Sequence, residues 1–273
     1  MLGARAYRHF PLTKKTGDIR IISAPRTHLK VIQWWILDSI LPAATVSDCA
    51  YGFVKGRSFI DNAEAHLGAK HILNVDVANF FPSIVPDLVF NIFSGLGYSN
   101  VVCSELVKLT TLDNGLPQGA PTSPAIANAI FYPADEKIQK ICSGKGIKYT
   151  RYADDLTFSS QHRMPDEFLV EVEQIIFSIG LSLNDRKTRY MGPNQKKEVT
   201  GLVLGRDGVA MERSALNAAR GWFHSIAVSP SAFGNEIERV RGTISLIKSI
   251  GGRGSAKVLV QGRAALQALE AAH

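Results

Sequence analysis

The sequence has few of the features that mark membrane, secreted or repetitive proteins. It contains no unbroken apolar run of about eighteen residues, so no membrane-spanning helix is expected. Its first residues lack the apolar stretch of a signal peptide. Its only cysteines are Cys49, Cys103 and Cys142, which are odd in number and widely spaced. These absences predict a cytoplasmic protein without a disulfide framework or a cysteine metal site.

The composition is that of a globular protein with a basic surplus. The 273 residues are 45% hydrophobic and 20% charged, and no tandem repeat or low-complexity tract interrupts them. A chain of this length can bury a sizeable core in one or two domains. The formal net charge of +7 favours a polyanionic partner such as nucleic acid. The alternative is a basic surface that only meets solvent.

The apolar patterning predicts a mixed α+β protein. Residues 10–22 should form a β-hairpin that turns at residues 16–18, and residues 71–77 a buried strand that reaches Asp76. A helix over residues 25–41 should have one apolar face, formed by Ile32, Trp35, Ile36 and Ile40. The remaining predictions are helices over residues 86–94, 101–111, 124–141 and 168–179, a strand over 198–204, a domain boundary near 206, and helices from about 213 onward.

Two adjacent aspartates form the most informative motif. Residues 152–155 read Tyr-Ala-Asp-Asp and lie between two short β-rich segments, which predicts a hairpin with Asp154 and Asp155 at its tip. Two carboxylates so close repel each other, and a hard cation such as Mg²⁺ relieves that repulsion. The alternative is an ordinary solvated turn.

A third aspartate and a glycine-containing loop extend the pattern. Asp76 ends an apolar strand, and if that strand neighbours the hairpin, the three acids form a cluster of the kind that holds two metal ions. Between the acidic segments, residues 116–124 read Leu-Pro-Gln-Gly-Ala-Pro-Thr-Ser-Pro. Gly119 permits close backbone approach, and Gln118 offers an amide to a template or nucleotide. Taken separately, Asp76 could be a strand-end cap and the loop an ordinary lead-in to a helix.

These segments, in this order, resemble the motifs of reverse transcriptases. Residues 74–84, 116–124 and 152–155 look like motifs A, B and C, and residues 180–188 are similar to motif D. Residues 195–204 fall where the primer-grip hairpin belongs. Arg20 matches the fingers hairpin that clamps the incoming triphosphate. The resemblance covers residues 10–205.

A narrower resemblance points to the retron reverse transcriptases. Asn62 and His66 match the retron Asn-Ala-x-x-His signature, Val199, Thr200 and Gly201 match Val-Thr-Gly, and residues 50–58 look like the retron form of a further motif. Asn62 and His66 should share a helix face, where a local hydrogen bond or a core histidine is the alternative. Gly201 could also mark a bulge in a strand.

The resemblance implies an architecture and a reaction. The fold would be a right-hand polymerase, with fingers and palm over residues 1–205 and a helical thumb over 206–273. The enzyme would copy part of a cognate noncoding RNA (msr-msd) into single-stranded DNA (msDNA), priming from a guanosine 2′-hydroxyl and consuming dNTPs. It would act in anti-phage defence with a separate effector protein. The alternatives are a group II intron-like or diversity-generating reverse transcriptase, and an inactive RNA-binding scaffold.

The resemblance also implies site roles. Two Mg²⁺ ions, with Mn²⁺ as a substitute, would be held by Asp76, Asp154, Asp155 and the Val77 carbonyl. Lys187 would protonate pyrophosphate, unless it is only a solvated lysine at a helix end. The nucleotide-binding residues would be Lys14, Lys15, Arg20, Val77, Phe81, Gln118 and Gly119. The RNA-binding residues would be Asn62, His66, Val199, Thr200 and Gly201.

Within the nucleotide site, Phe81 has a specific role. Its bulk would exclude the 2′-hydroxyl of a ribonucleotide. The alternative is that Phe80 is the exposed ring and Phe81 belongs to the core.

Overall fold

The computed structural model describes residues 4–13, 17 and 19–272. The chain forms two compact units. The first comprises Met1–Ser58 and His71–Tyr190, and the second comprises Phe59–Lys70 and Met191–His273. The domain boundary near residue 206 stays a prediction.

Strands and helices come in runs along the described chain. The strands, in order, are β1 (Tyr7–Thr13), β2 (Ile19–Pro25), β3 (His71–Asp76), β4 (Lys148–Tyr152), β5 (Asp155–Ser160), β6 (Arg189–Met191), β7 (Glu198–Val199), β8 (Leu202–Leu204) and β9 (Val209–Met211). The α-helices, in order, are α1 (Thr27–Ser39), α2 (Phe59–Glu64), α3 (Phe80–Ser83), α4 (Pro86–Gly95), α5 (Asn100–Thr110), α6 (Ser123–Gly144), α7 (Asp166–Ser178), α8 (Arg213–Val228), α9 (Ile237–Ile250) and α10 (Ser255–Ala271). Short 3-10 helices cover Ala4–Ala6, Leu41–Ala43, Asp185–Lys187 and Pro230–Glu236.

A four-stranded sheet organises the first unit. Its strand order is β4-β5-β3-β6, and β5 runs antiparallel to both β3 and β4. The strands β3 and β5 carry fully buried apolar residues such as Ile72 and Phe158, and α6 supplies Ile126, Phe131 and Ile138 to the same core. Burying one such side chain stabilises a fold by roughly 1.5–3 kcal/mol. A rigid apolar base therefore supports the strand ends that carry the acids.

The predicted N-terminal hairpin is confirmed, but the buried face of α1 differs from the prediction. The strands β1 and β2 pair along their whole length, from Tyr7↔Pro25 to Thr13↔Ile19. In α1 the buried residues are Leu29, Gln33 and Ile36. Ile32 and Trp35, assigned to that face from the sequence, are 41% and 59% exposed. Gln33 lies on that face, where its amide nitrogen donates to the Tyr7 hydroxyl (3.1 Å) and the Leu109 carbonyl (2.8 Å), whereas its side-chain oxygen has no hydrogen-bond partner among the described residues.

The second unit combines a small sheet with helices. The strands β7, β8 and β9 form an antiparallel sheet. The single strand predicted over residues 198–204 is wrong, because Thr200 and Gly201 form a two-residue turn with φ of +47° and +79°. The helices α8, α9 and α10 confirm the all-helical prediction. Val240 and Ile247 of α9 are fully buried.

In the residues the structure describes, no helix is both long and apolar enough to cross a membrane.

Candidate active site

The three predicted acids meet at one end of the central sheet. The register of β3 and β5 pairs Asp76 directly with Asp155, and Asp154 lies in the two-residue turn between β4 and β5. The backbone N–H of Val77 donates to the carbonyl of Asp154 (2.9 Å). In an extended strand the N–H and C=O of one residue point to the same side, so the Val77 carbonyl also faces Asp154. The sheet thus gathers four oxygen-donating groups at one place.

Burial and neighbouring charges raise the proton affinity of Asp154 and Asp155. Desolvation, followed by the charges of Asp154 and Asp76, raises the pKa of Asp155 to about 6. Desolvation also raises the pKa of Asp154 above its ordinary value, and the charge of Asp76 adds to that rise. The cluster therefore carries unfavourable negative charge, which a cation would relieve.

Lys187 and Asn184 hold Asp76. The Lys187 ammonium donates to Asp76 Oδ2 (2.7 Å), and the Asn184 side-chain amide donates to Oδ1 (3.3 Å). The Asn184 backbone N–H donates to the Asp76 carbonyl (2.8 Å). The Asp76 side chain is 8% exposed and that of Lys187 is 50% exposed, so the ammonium approaches from the solvent side. The sequence interpretation missed Asn184, although it lies in the motif D-like segment three residues before Lys187.

The donor set suits a hard divalent cation. Carboxylates and a backbone carbonyl are the oxygen ligands that Mg²⁺ prefers. Among the described residues, no three His, Cys, Asp or Glu side chains already form a metal-binding group. In the structure the Asp76 carboxylate pairs with Lys187. The residues that could hold the metal are Asp76, Asp154, Asp155 and Val77.

A cleft of about 990 Å³ opens in front of the acids and contains most of the predicted nucleotide-site residues. Asp155 and Gly119 are not among its lining residues, and Lys14 and Lys15 lie outside the described residues. The predicted residues that do line it are Arg20, Asp76, Val77, Phe81, Gln118, Asp154 and Lys187.

Backbone hydrogen bonds connect the loop at residues 116–119 to strand β2 and to Phe81. The Gln118 carbonyl accepts a hydrogen bond from the Ser23 N–H of β2 (2.7 Å), and the Leu116 N–H donates to the Phe81 carbonyl (3.0 Å). Gly119 has φ of +116°, and an added Cβ would lie 3.0 Å from Ile22. Glycine is required there because the loop passes so close to β2.

The two adjacent phenylalanines have different environments. Phe80 is 4% exposed and packs against Phe131 in the core. Phe81 is half-buried and lines the cleft beside Val77 and Gln118. Of the two rings, Phe81 is the one with surface available to a bound nucleotide.

The two short signature segments lie together in the second unit. Asn62 belongs to α2, whereas His66 lies in the turn that follows, so the shared helix face expected from their spacing is not formed. The Thr200 hydroxyl donates to the Phe59 carbonyl at the start of α2 (2.9 Å). Only Gly201 is exposed, and Thr200 is half-buried. The buried members are Asn62, His66 and Val199, with exposures of 0%, 1% and 0%.

Comparison with known proteins identifies the family. Residues 12–204 match the family model described as reverse transcriptase (RNA-dependent DNA polymerase). The chain is 40% identical over 250 residues to the Escherichia coli retron Ec86 reverse transcriptase, covering 89% of this chain and 76% of that protein. It is 30% identical over 279 residues to the Myxococcus xanthus retron Mx162 reverse transcriptase, covering 89% of this chain and 58% of that one.

A third relative is the Escherichia coli retron Ec83 reverse transcriptase, 31% identical over 220 residues, with 74% of this chain and 69% of that protein covered. A reverse transcriptase domain implies the right-hand polymerase fold, and the mixed helices and strands agree with the predicted α+β class. The family generally uses divalent metal ions. The chain belongs to the reverse transcriptase family and, within it, to the retron reverse transcriptases, and it is an RNA-directed DNA polymerase.

Proposed function

We propose that this enzyme copies part of a cognate noncoding RNA into single-stranded DNA, priming from a guanosine 2′-hydroxyl, by two-metal nucleotidyl transfer. The observation that carries the proposal is the cross-strand pairing of Asp76 with Asp155 beside the Asp154 turn. It brings three acids and the Lys187 ammonium to the end of one sheet. The retron names of the relatives support a structured RNA as template, with dNTPs as substrates.

The chain's own groups have distinct roles in this mechanism. Asp76, Asp154, Asp155 and the Val77 carbonyl would hold two Mg²⁺ ions. When bound, these ions lower the pKa of the attacking hydroxyl and stabilise the charge of the phosphoryl transition state. Lys187 would be displaced from Asp76 as metal binds, because two cations at one carboxylate repel each other. The freed ammonium remains in the cleft, where it can protonate the departing pyrophosphate.

The rest of the cleft selects and orients the nucleotide. Arg20, together with Lys14 and Lys15, would neutralise the triphosphate. Phe81 would pack under the sugar and exclude a 2′-hydroxyl. Gln118, whose backbone is tied to β2, would orient the nucleotide or the template base. Gly119 would keep the backbone close enough for that contact.

RNA recognition is assigned to the second unit. We place the RNA contact at the Thr200–Gly201 turn, where Gly201 is exposed, and we assign supporting roles to the buried Asn62, His66 and Val199 of the same unit. In the right-hand arrangement, residues 1–205 form fingers and palm, and residues 206–273 form the thumb. The cytoplasmic anti-phage role and the separate effector protein rest on the resemblance to retron enzymes.

The nucleic acid bound to the purified protein tests this function. The expected result is an RNA joined to DNA through a 2′–5′ branch, which a debranching enzyme resolves into two separate strands. Sequencing then gives the template RNA and its branching guanosine. Unbranched cDNA, or RNA alone, would contradict the retron priming reaction. Primer extension on a generic template distinguishes an active polymerase from an inactive scaffold.

A further inference from the structure

A buried ion pair lies beneath the catalytic turn. The guanidinium of Arg151 and the carboxylate of Asp135 are both 0% exposed. They meet as a two-pronged fork, with Arg151 Nε donating to Asp135 Oδ1 (3.0 Å) and Nη2 donating to Oδ2 (2.7 Å). A fork of this kind fixes orientation as well as distance. Arg151 belongs to β4 and Asp135 to α6, so the pair joins the sheet to the long helix.

Arg151 also holds the backbone of the turn that carries Asp154. Its Nη1 donates to the Ala153 carbonyl (3.2 Å) and to the Asn128 side-chain carbonyl (2.9 Å). Ala153 has φ of +56°, a conformation that a residue with a Cβ seldom adopts without support. One side chain thus ties helix α6 to the strained residue immediately before Asp154.

The segment at residues 49–52 supports the turn from another direction. The Arg151 N–H donates to the Cys49 carbonyl (2.8 Å), and the Tyr51 N–H donates to the Arg151 carbonyl (2.7 Å). The Asn128 side-chain amide donates to the Gly52 carbonyl (3.0 Å). A Cβ at Gly52 would lie 2.5 Å from the Ala153 nitrogen, closer than any real contact. Nothing larger than glycine fits without moving the turn.

The hydrogen-bond donors Tyr149 and Arg151 stay protonated near neutral pH. Tyr149 donates to Asp135 Oδ1 (2.7 Å), and burial, together with the Asp135 charge, raises the pKa of Tyr149 well above its ordinary value. Burial lowers the pKa of Arg151, but the charge and hydrogen bonds of Asp135, together with the nearby Tyr149 and Cys49, give a net upward shift. Arg151 therefore stays charged and can donate to the turn.

Stability alone is a weak reason for such a pair. Desolvating two charges offsets much of their attraction, and well-packed apolar replacements of buried ion pairs are often neutral or stabilising. What an apolar pair cannot provide is a directed donor at the Ala153 carbonyl. The network therefore suits a positioning function.

We propose that Arg151, oriented by Asp135 and Asn128, is a positioning residue that sets the placement of Asp154 in the active site. The proposal rests on the assignment of Asp154 as a catalytic carboxylate. It predicts that losing the network lowers kcat, because a displacement of about 1 Å can cost about 10²-fold in rate. Nucleotide and primer-template binding should change little, since the cleft residues that contact them stay in place.

The decisive variant is Arg151→Met combined with Asp135→Leu, which removes both charges together. Arg151→Met alone leaves a buried unpaired carboxylate and is expected to unfold more easily. Gly52→Ala disturbs the same turn by sterics and keeps every charge. Gly95→Ala is the matched control, because a Cβ added there meets no atom within 4 Å. Asp154→Asn reports on the active-site assignment itself.

Each variant is tested on an oligo(dT)-primed poly(rA) template for kcat, KM for dTTP, primer-template affinity and melting temperature. The double variant and Gly52→Ala should lose about 10- to 100-fold in kcat with KM and affinity within about twofold. Gly95→Ala should match the wild type. Wild-type kcat in both test variants, with Asp154→Asn inactive, overturns the proposal. A fall in kcat that is fully explained by a smaller fraction of folded protein also overturns the proposal. Full activity of Asp154→Asn would instead remove the active-site assignment on which the proposal rests.

Discussion

The ammonium of Lys187 lies 2.7 Å from the Asp76 carboxylate, at the sheet end where Asp76 pairs with Asp155. The cluster thus supplies its own cation from the motif D-like segment. The Lys187 ammonium and a bound Mg²⁺ are both cations drawn to the Asp76 carboxylate, and they repel each other there. Lys187 should therefore compete with Mg²⁺ while also serving the reaction, and the two effects can be separated by measurement.

Lys187→Met should raise the apparent affinity for Mg²⁺ and lower the catalytic rate. The Mg²⁺ concentration at half-maximal activity should fall, because no ammonium then competes for Asp76. The value of kcat should fall by about 10²-fold or more, because the general acid is lost. Titration of primer-extension rate against Mg²⁺ measures both quantities. Arg163→Met, on an exposed arginine paired with Asp166, is the control. An unchanged Mg²⁺ midpoint would show that the ion pair does not compete with metal.

Asp154→Asn should abolish DNA synthesis and leave RNA binding nearly intact. The substitution keeps the shape of the side chain and removes one metal-binding charge, so we expect a loss of at least about 10²-fold in kcat. Primer extension measures the rate, and a filter-binding titration with the co-purified RNA measures affinity. Activity within a few-fold of the wild type would exclude Asp154 as a metal ligand.

Much of this site can be predicted from the sequence because its parts are local. The Asp154-Asp155 turn, the strand that ends in Asp76 and the glycine in the 116–119 loop each depend on a few neighbouring residues. The β3–β5 register does not, because cross-strand pairing depends on contacts distant in the chain.

The predictions that failed depended on tertiary contacts. The buried face of α1 includes Gln33, whose amide nitrogen donates hydrogen bonds to the Tyr7 hydroxyl and the Leu109 carbonyl. No periodicity in apolar residues can reveal that compensation. Arg151 was missed for the same reason, since an arginine beside a catalytic motif suggests a ligand contact unless its buried partner is known.

The raised pKa of Asp155 predicts how metal-free stability depends on pH. The folded pKa is about 6, and an unfolded aspartate titrates near ~3.9. Between these values the folded state binds more protons than the unfolded state, so the free energy of unfolding falls as pH rises from about 4 to about 6. Urea denaturation in EDTA across this range should show the decline. Asp155→Asn should flatten it, and Asp38→Asn, on an exposed aspartate of α1, should not.

Magnesium should reverse that trend. Its carboxylate ligands must be deprotonated, so the rise in melting temperature on adding Mg²⁺ should be larger at pH 8 than at pH 5.5. Asp155→Asn should reduce the rise at pH 8. An equal rise at both pH values in the wild type would mean that Mg²⁺ does not bind the acid cluster.

Phe81→Ala should admit ribonucleotides. Both rings contribute to the cleft lining, but Phe80 is packed in the core and Phe81 is half-buried, so removing the Phe81 ring enlarges the cleft without emptying the main core. The ratio of kcat/KM for dTTP to that for UTP should fall by about 10-fold or more, since the excluded group is small and steric. Phe90→Ala, on a partly buried ring of α4, controls for general loss of packing. Unchanged sugar discrimination in Phe81→Ala would assign the gate to another residue.

Asn62 offers a test of how the second unit recognises RNA. Its side chain is fully buried, and neither its oxygen nor its nitrogen has a hydrogen-bond partner among the described residues. Burying an unsatisfied amide costs stability, so Asn62→Leu should leave the melting temperature of the free protein unchanged or higher. If Asn62 supports recognition of the cognate RNA, Asn62→Leu should weaken cognate RNA binding by about 10-fold, equivalent to about 1.4 kcal/mol.

The same Asn62→Leu protein should extend a generic primer-template at the wild-type rate, and His66→Ala should show the same selectivity for cognate RNA. Equal loss on both substrates would assign Asn62 and His66 to the folding of the second unit. If the variants handle both substrates as the wild type does, Asn62 and His66 have no role in RNA recognition. Only a loss confined to the cognate RNA fits a buried support acting through an exposed contact.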